Sequence, residues 1–278
     1  MSRRSRRCAA LVVLVALLAQ ACASGESASQ APTPESTPSV SVSVAPAAPS
    51  APAVGSCHDL DFEQATQPID SKRAVPCTRP HTSVTIMVGQ IDPLQDGHLL
   101  AVDSPAVRVQ LARVCPPALP RYLGGSVTAQ RLSRLDVVSF APSLEQADAG
   151  ANWFRCDVVA LRSKGTLMQL PRSLKGALDS ADALDRFGTC GTSAPDRRGF
   201  ERISCSEPHS WRAVDVIEID KQARYLAKDA GAAGDASCRG IAADRAGSSL
   251  KFSWSFEWPT EQQWKSGQRY GYCWVPQS

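Results

Sequence analysis

Cys77-Thr78-Arg79-Pro80-His81 and Cys205-Ser206-Glu207-Pro208-His209 share one pattern, C-x-x-P-H. Each leads into an alternating apolar run, Val84 to Ile91 and Ala213 to Ile219. Proline fixes its own φ and lacks an N–H, so it stands at the entry to an extended segment rather than inside one. Alternation of period two after it reads as a half-buried strand. The match runs on without a gap, Ile86 with Val214, Val88 with Val216, and Ile91-Asp92 with Ile219-Asp220.

Outward from this pair the cysteines fall into the same order. There are ten, with Cys8 and Cys22 near the N-terminus and the rest at 57, 77, 115, 156, 190, 205, 238 and 273. The first four step by 20, 38 and 41 residues and the second four by 15, 33 and 35. Val54-Gly55-Ser56-Cys57 matches Phe187-Gly188-Thr189-Cys190, Pro142 matches Pro259, and Gly150 matches Gly267. Agreement at so many fixed offsets reads as a tandem duplication. An even count without any C-x-x-C in an exported chain implies a disulfide framework, not a redox or zinc site. Four cysteines allow three pairings per copy. The neighbour pattern is expected: Cys57 with Cys77, Cys115 with Cys156, Cys190 with Cys205, Cys238 with Cys273. The first bond closes a short segment leading into a strand, and the second staples a helix end to the closing strand.

Ser104-Pro105 opens an apolar run to Cys115 and reads as a helix start, placing Cys115 near the helix end. Its counterpart, Lys221 to Cys238, is richer in glycine. Leu135 to Phe140 and Leu250 to Trp258 read as strands, each followed by a loop opened by Pro142 or Pro259. Trp153 to Leu161 and Tyr270 to Val275 close the copies as strands. The expected class is α+β, two tandem small disulfide-linked modules, each a few-stranded antiparallel sheet with one main helix. They span 54–161 and 187–276, with 162–186 as connector. Domains of about 100 residues have marginal cores, and each disulfide adds about 3–4 kcal/mol in the chain-entropy model.

Residues 1–21 read as a signal peptide: Arg3, Arg4, Arg6 and Arg7, then an uncharged run from Ala9 to Ala19. A bilayer-spanning helix needs about 20 residues, more than this run holds. Leu18-Ala19-Gln20-Ala21-Cys22 resembles a bacterial lipobox, making Cys22 the expected lipidation site of a diacylated, palmitate-bearing lipoprotein. Ordinary cleavage after Ala19-Gln20-Ala21 is the alternative and gives a secreted protein. Residues 22–53 read as a disordered Pro/Ser/Ala-rich linker, with prolines at 32, 34, 38, 46, 49 and 52. At about 3.1 Å per residue it reaches at most about 100 Å, enough for a stalk.

The full chain carries a formal +3, from 30 basic and 27 acidic residues. Setting aside the four leader arginines leaves 26 against 27, a mature charge of −1. With no Lys/Arg cluster interleaved with aromatics, a nucleic-acid partner is excluded as an expectation.

Five of six tryptophans, Trp211, Trp254, Trp258, Trp264 and Trp274, lie in the second copy. Trp258 and Trp264 flank a Pro-initiated loop, where aromatics act as binding anchors. The closing pattern there is Pro259, Trp264, Gly267, Arg269 and Cys273. In the first copy Ala147 stands for the Trp and Asn152 for the Arg. His81 and His209 are read chiefly as bracing their own loops, with partner recognition as their functional role. No G-x-S-x-G, H-E-x-x-H or P-loop occurs. No cofactor or metal site is expected, since neither histidine has another close in sequence.

The hydrophobic-Gly-x-Cys opening, the C-x-x-P-H and the closing Pro…Trp…Gly-x-Arg…Cys resemble the septum-formation domain of actinobacterial envelope proteins. The resemblance covers Val54 to Pro276. It implies a place on the extracytoplasmic face of the cell membrane and a link to cell division, and it implies no reaction. The expected function is therefore a non-enzymatic envelope lipoprotein. It would bind division proteins, other envelope proteins or cell-wall components, with contacts from Trp258, Trp264, Arg269, His81 and His209. An envelope enzyme such as a peptidoglycan hydrolase and a purely structural secreted protein are the alternatives.

Overall fold

A computed structural model describes residues 47–70, 72–180, 182–247 and 249–277. Cys22, the leader and most of the linker lie outside the described residues. In chain order the first half holds β1 (Cys57–His58), α1 (Phe62–Ala65) and β2 (Ser83–Gln90). There follow a small hairpin of β3 (Leu94–Gln95) and β4 (His98–Leu99), then α2 (Pro105–Leu123) and α3 (Val127–Leu132). β5 (Leu135–Phe140), α4 (Leu144–Asp148), β6 (Trp153–Ser163) and β7 (Thr166–Leu167) complete it. After a 3-10 turn at Ala177–Asp179 come α5 (Ala183–Phe187), β8 (Thr189–Gly191), β9 (Arg202–Ser204) and β10 (Trp211–Glu218). The last elements are α6 (Lys228–Ala246), β11 (Ser255–Glu257), α7 (Glu261–Lys265) and β12 (Tyr270–Pro276).

Two antiparallel sheets result. The first has the order β1-β2-β6-β5, with β7 on β6. The second, β11-β12-β10-β8-β9, follows the same order when read from its cysteine-bearing strand β8, with β9 added outside. The registers agree as well. Cys57 faces Val84 and Cys190 faces Arg212. Met87 faces Cys156 and Asp215 faces Cys273, each just past a register shift, between Thr85 and Met87 or between Ala213 and Asp215. Ser139 and Phe256 face Cys156 and Cys273 from the other side. The disulfides are Cys57–Cys77, Cys115–Cys156, Cys190–Cys205 and Cys238–Cys273. In both halves the second bond pins the middle of the long helix to the closing strand.

Both long helices have 19 residues. Ser104 caps α2, its Oγ accepting from Val107 N–H at 3.3 Å, and Pro105 fills a position whose N–H would be free anyway. The helix does not end near Cys115 as its sequence suggests; it continues through Pro116, Pro117 and Pro120. Each proline removes one backbone bond. The extra turns bury Leu123 and pack Leu119 and Tyr122 on the core, and the bond at Cys115 holds the helix to β6. The expected loops after Pro142 and Pro259 are single capped turns, α4 and α7. Ser143 and Gln146 form one capping box and Thr260 and Gln263 the other.

The connecting segment contributes Met168, Leu170, Leu174 and Leu178 to the first core, beside Val84, Leu135, Val158 and Ala160. The two halves meet along α3. Leu132 packs with Ala213, Tyr272 and Trp274. Tyr272 O–H donates to Arg131 O at 3.1 Å, and Arg131 lies 4.3 Å over the Tyr270 ring and pairs with Glu218. Arg134 N–H donates to Phe187 O at 2.7 Å; burial, with Arg202 close by, lowers the Arg134 guanidinium to about 10.

Candidate interaction site

The closing pattern of the second half assembles into one column. β11 ends by delivering Phe256 and Trp258, Pro259 starts the turn, and α7 raises Trp264 beside them. The Trp258 and Trp264 rings stack at 5.6 Å with 19° between planes, and Phe256 meets Trp258 edge-on at 6.2 Å. Gly267, at φ +95°, lets the chain turn back so that Arg269 lies over the Trp264 ring, 3.9 Å from its centroid. Arg269 Nη1 donates to Trp264 O (2.7 Å) and Gln268 O (3.0 Å). Tyr225 approaches Trp264 at 5.8 Å. Trp258, Trp264 and Arg269 are half-buried, and Glu261, Gln262 and Lys265 beside them are exposed. The pattern residues thus order one another first, and present an aromatic edge within a polar rim. The buried Trp258 Nε1 has no hydrogen-bond partner among the described residues.

This column depends on a paired exchange between helix and strand. Phe256 fits because Gly234 of α6 stands opposite; a Cβ there would come within 2.3 Å of its ring. At the matched places the first half carries Leu111 on α2 and Ser139 on β5. A large side chain on the helix is traded for one on the strand.

His81 is 2% exposed, with Nδ1 2.8 Å from Arg79 O and Nε2 3.2 Å from Pro171 O. His209 is half-buried, with Nδ1 2.7 Å from Glu207 O. Both brace the turn that precedes them, and neither is near the aromatic column. Among the described residues no group of three or more His, Cys, Asp and Glu is placed to hold a metal ion.

A second cluster had no sequence signal. His58, Asp70, Arg155 and Asp157 meet beneath the first sheet, all with side chains at most 3% exposed. Arg155 donates to Asp70 Oδ2 and, at 2.9 Å, to His58 Nε2, and its Nε stands 3.2 Å from Asp157 Oδ2. Ser83 Oγ donates to Asp157 at 3.1 Å, and the guanidinium lies 4.6 Å over Phe140. Burial works to raise the Asp70 carboxyl, but hydrogen bonds from His58, the Lys72 backbone and Arg155 outweigh it and hold it below the usual carboxylate value. Asp157 goes the other way: burial raises it, against the opposing pull of Arg155 and His58.

Two disulfide-framed antiparallel sheets with helices packed on them, an ordered aromatic turn and a buried ionic cluster define a class, an α+β protein. The chain belongs to the septum-formation family: the family's model, described as septum formation, matches residues 54–273. No curated protein and no solved structure matches it.

Proposed function

We propose that this is a non-enzymatic interaction protein of the cell envelope, acting in septum formation and tethered to the extracytoplasmic face of the membrane by a lipid on Cys22. Its two halves are copies of one module, and the second makes the main partner contact through the loop from Trp258 to Arg269. The partner is a division protein, another envelope protein or a cell-wall component. The observation that carries the reading is the Arg269–Trp264–Trp258 column: a half-exposed stack of the residue types that dominate binding energy, held rigid by its own hydrogen bonds. The matched registers and disulfides support the duplication. Family membership supports the link to septum formation. No helix among the described residues is long and apolar enough to cross a membrane, and the lipobox-like stretch supplies the anchor.

A peptidoglycan hydrolase would draw on the cleft of about 600 Å³ that Asp70 and Glu145 line. Asp70 is held there by Arg155 and His58 and kept ionised, which suits a structural anion better than a proton donor. Purified protein is expected to leave cell wall intact in a dye-release assay.

The test of the binding reading is Trp264→Ala, followed by melting and by septal enrichment in the native host. Loss of a half-buried indole should cost about 1–2 kcal/mol, less than the ~3–5 of a fully buried one, and leave the protein folded, while enrichment is lost. A folded variant that still enriches at the septum contradicts the proposal.

A further inference from the structure

A cleft of about 690 Å³ lies in the second half between the C-terminal part of α6 and the ends of β10 and β12. Along the cysteine frame its walls correspond to a site that the first half has filled. Arg212, Ala242, Arg245, Phe252 and Gln277 line the cleft. At the matched places Val84, Leu119, Tyr122, Leu135 and Ala160 form the first core, covered by the chain's own segment from Met168 to Leu178. Met168 to Leu174 of that segment run without helix, and a turn then leads into the 3-10 turn that holds Leu178. Met168 N–H donates to Ala160 O (2.8 Å), Leu170 N–H to His81 O (2.9 Å), and Leu174 N–H to Tyr122 Oη (3.2 Å). Its apolar side chains are buried, Leu174 to 1% exposure.

In the second half the two backbone acceptors have counterparts, His209 O and Gln277 O, without that occupant. Among the described residues nothing donates to His209 O or Gln277 O, and His209 Nε2 has no counterpart of the Pro171 carbonyl that faces His81. The character of the walls has also changed. Val84 and Tyr122 give way to Arg212 and Arg245, and Lys251 stands at the rim. Of the three cations only Arg212 has an acidic partner among the described residues, Asp185 at 2.7 Å. Phe252 and Ala242 keep apolar wall between the charges.

We propose that this cleft binds an extended peptide segment of a partner protein, apolar with at least one acidic side chain. The peptide takes the path that Met168 to Leu178 takes in the first half, with its acid against Arg245. In the first half that place belongs to Ser173, whose Oγ is 3.3 Å from Tyr122 Oη. The site is separate from the Trp258–Arg269 loop and stands whether or not that loop binds.

Two labelled synthetic peptides of residues 166–178 serve as probes, one unchanged and one carrying Ser173→Glu and Lys175→Glu. Fluorescence anisotropy with the purified protein should show saturable binding of the acidic peptide, at least about tenfold tighter than the unchanged one. Arg245→Glu should abolish or reverse that preference with melting unchanged. If that variant melts early, Lys251→Glu, on an exposed side chain, should lower the preference instead. No saturable binding of the acidic peptide, or equal binding of both peptides in wild type and variants, overturns the proposal. So does a concentration-dependent dimer in sedimentation that Arg245→Glu dissolves, because the occupant would then be a second copy of this chain.

Discussion

Strand β6 of the first half places Arg155 and Asp157 where β12 of the second places Tyr272 and Trp274, and their partners differ to match. Thr85 faces Asp157, and Ala213 faces Trp274. Around the first pair the chain gathers His58 and Asp70 into a buried ionic cluster. Around the second it packs Phe200 edge-on at 5.3 Å from Trp274, whose Nε1 donates to Glu257 at 2.9 Å. Matching strands and disulfides thus accommodate charge beneath one sheet and aromatic rings beneath the other. The register and the cross-links are alike in the two halves, and what surrounds them differs. The difference extends to the surface: the second half has the Trp258–Trp264 stack and an open basic cleft, where the first has Ala141, Ala147 and a covered core.

The comparison breaks most visibly at Arg155. Arg155→Ala leaves Asp70 and Asp157 buried without their cation, at a cost of about 3–5 kcal/mol. Chemical denaturation should register that loss. A loss under ~1 kcal/mol would mean that the cluster is not the organising feature of the first half.

Next come the disulfides that pin helix to closing strand, Cys115–Cys156 and Cys238–Cys273, which close loops of 41 and 35 residues. Alanine pairs at each should cost about 2–5 kcal/mol, and the two losses should be alike, because loop-closure entropy varies only slowly with length. Markedly unequal losses would show that the halves rely on their frames to different degrees.

The disulfide frame was legible in the sequence because cysteines, C-x-x-P-H and alternation are local signals, and each occurs twice along the chain. Ser104-Pro105 was legible for the same local reason. The end of α2 was not: Pro116 and Pro117 are the usual marks of a helix stop, and only tertiary burial of Leu123 and the bond at Cys115 carry it onward. The ionic cluster was hidden because His58, Asp70 and Arg155 are far apart in sequence and have no counterparts in the second half. The capping boxes at Ser143 and Thr260 were in view as S/T-x-x-Q, and would have turned both expected loops into helical turns. The stacking of Arg269 on Trp264 needed Gly267 to turn the chain, a geometry that spacing alone does not supply.

A smaller effect separates the halves by pH. Asp70 has a lowered pKa in the folded state. Its contribution is complete above the ordinary carboxylate value near 3.8 and is lost as pH falls through the folded one. Asp157, raised, has the opposite slope: it favours the folded state most in acid and loses that advantage as pH rises through its own folded value. The destabilisation caused by Asp70→Asn should therefore be full at neutral pH and shrink on the acid side of the usual carboxylate range. In the second half, Tyr272→Phe removes one hydrogen bond to Arg131 O, about 1 kcal/mol, and that loss should not vary over the same range. Melting curves of both variants against pH make the check, and parallel profiles would refute the assignment of acid sensitivity to the first half.

The most direct test of a partner-binding second half is a photocrosslinking residue at Gln262, beside the aromatic column, compared with one at Glu145, the matched exposed place on α4. Both sites are exposed, so the fold should be unaffected. Crosslinking in dividing cells should yield a discrete adduct from Gln262 that disappears in a Trp264→Ala background, and none from Glu145. The same adduct from both sites, or an adduct from Gln262 indifferent to Trp264, would contradict the account.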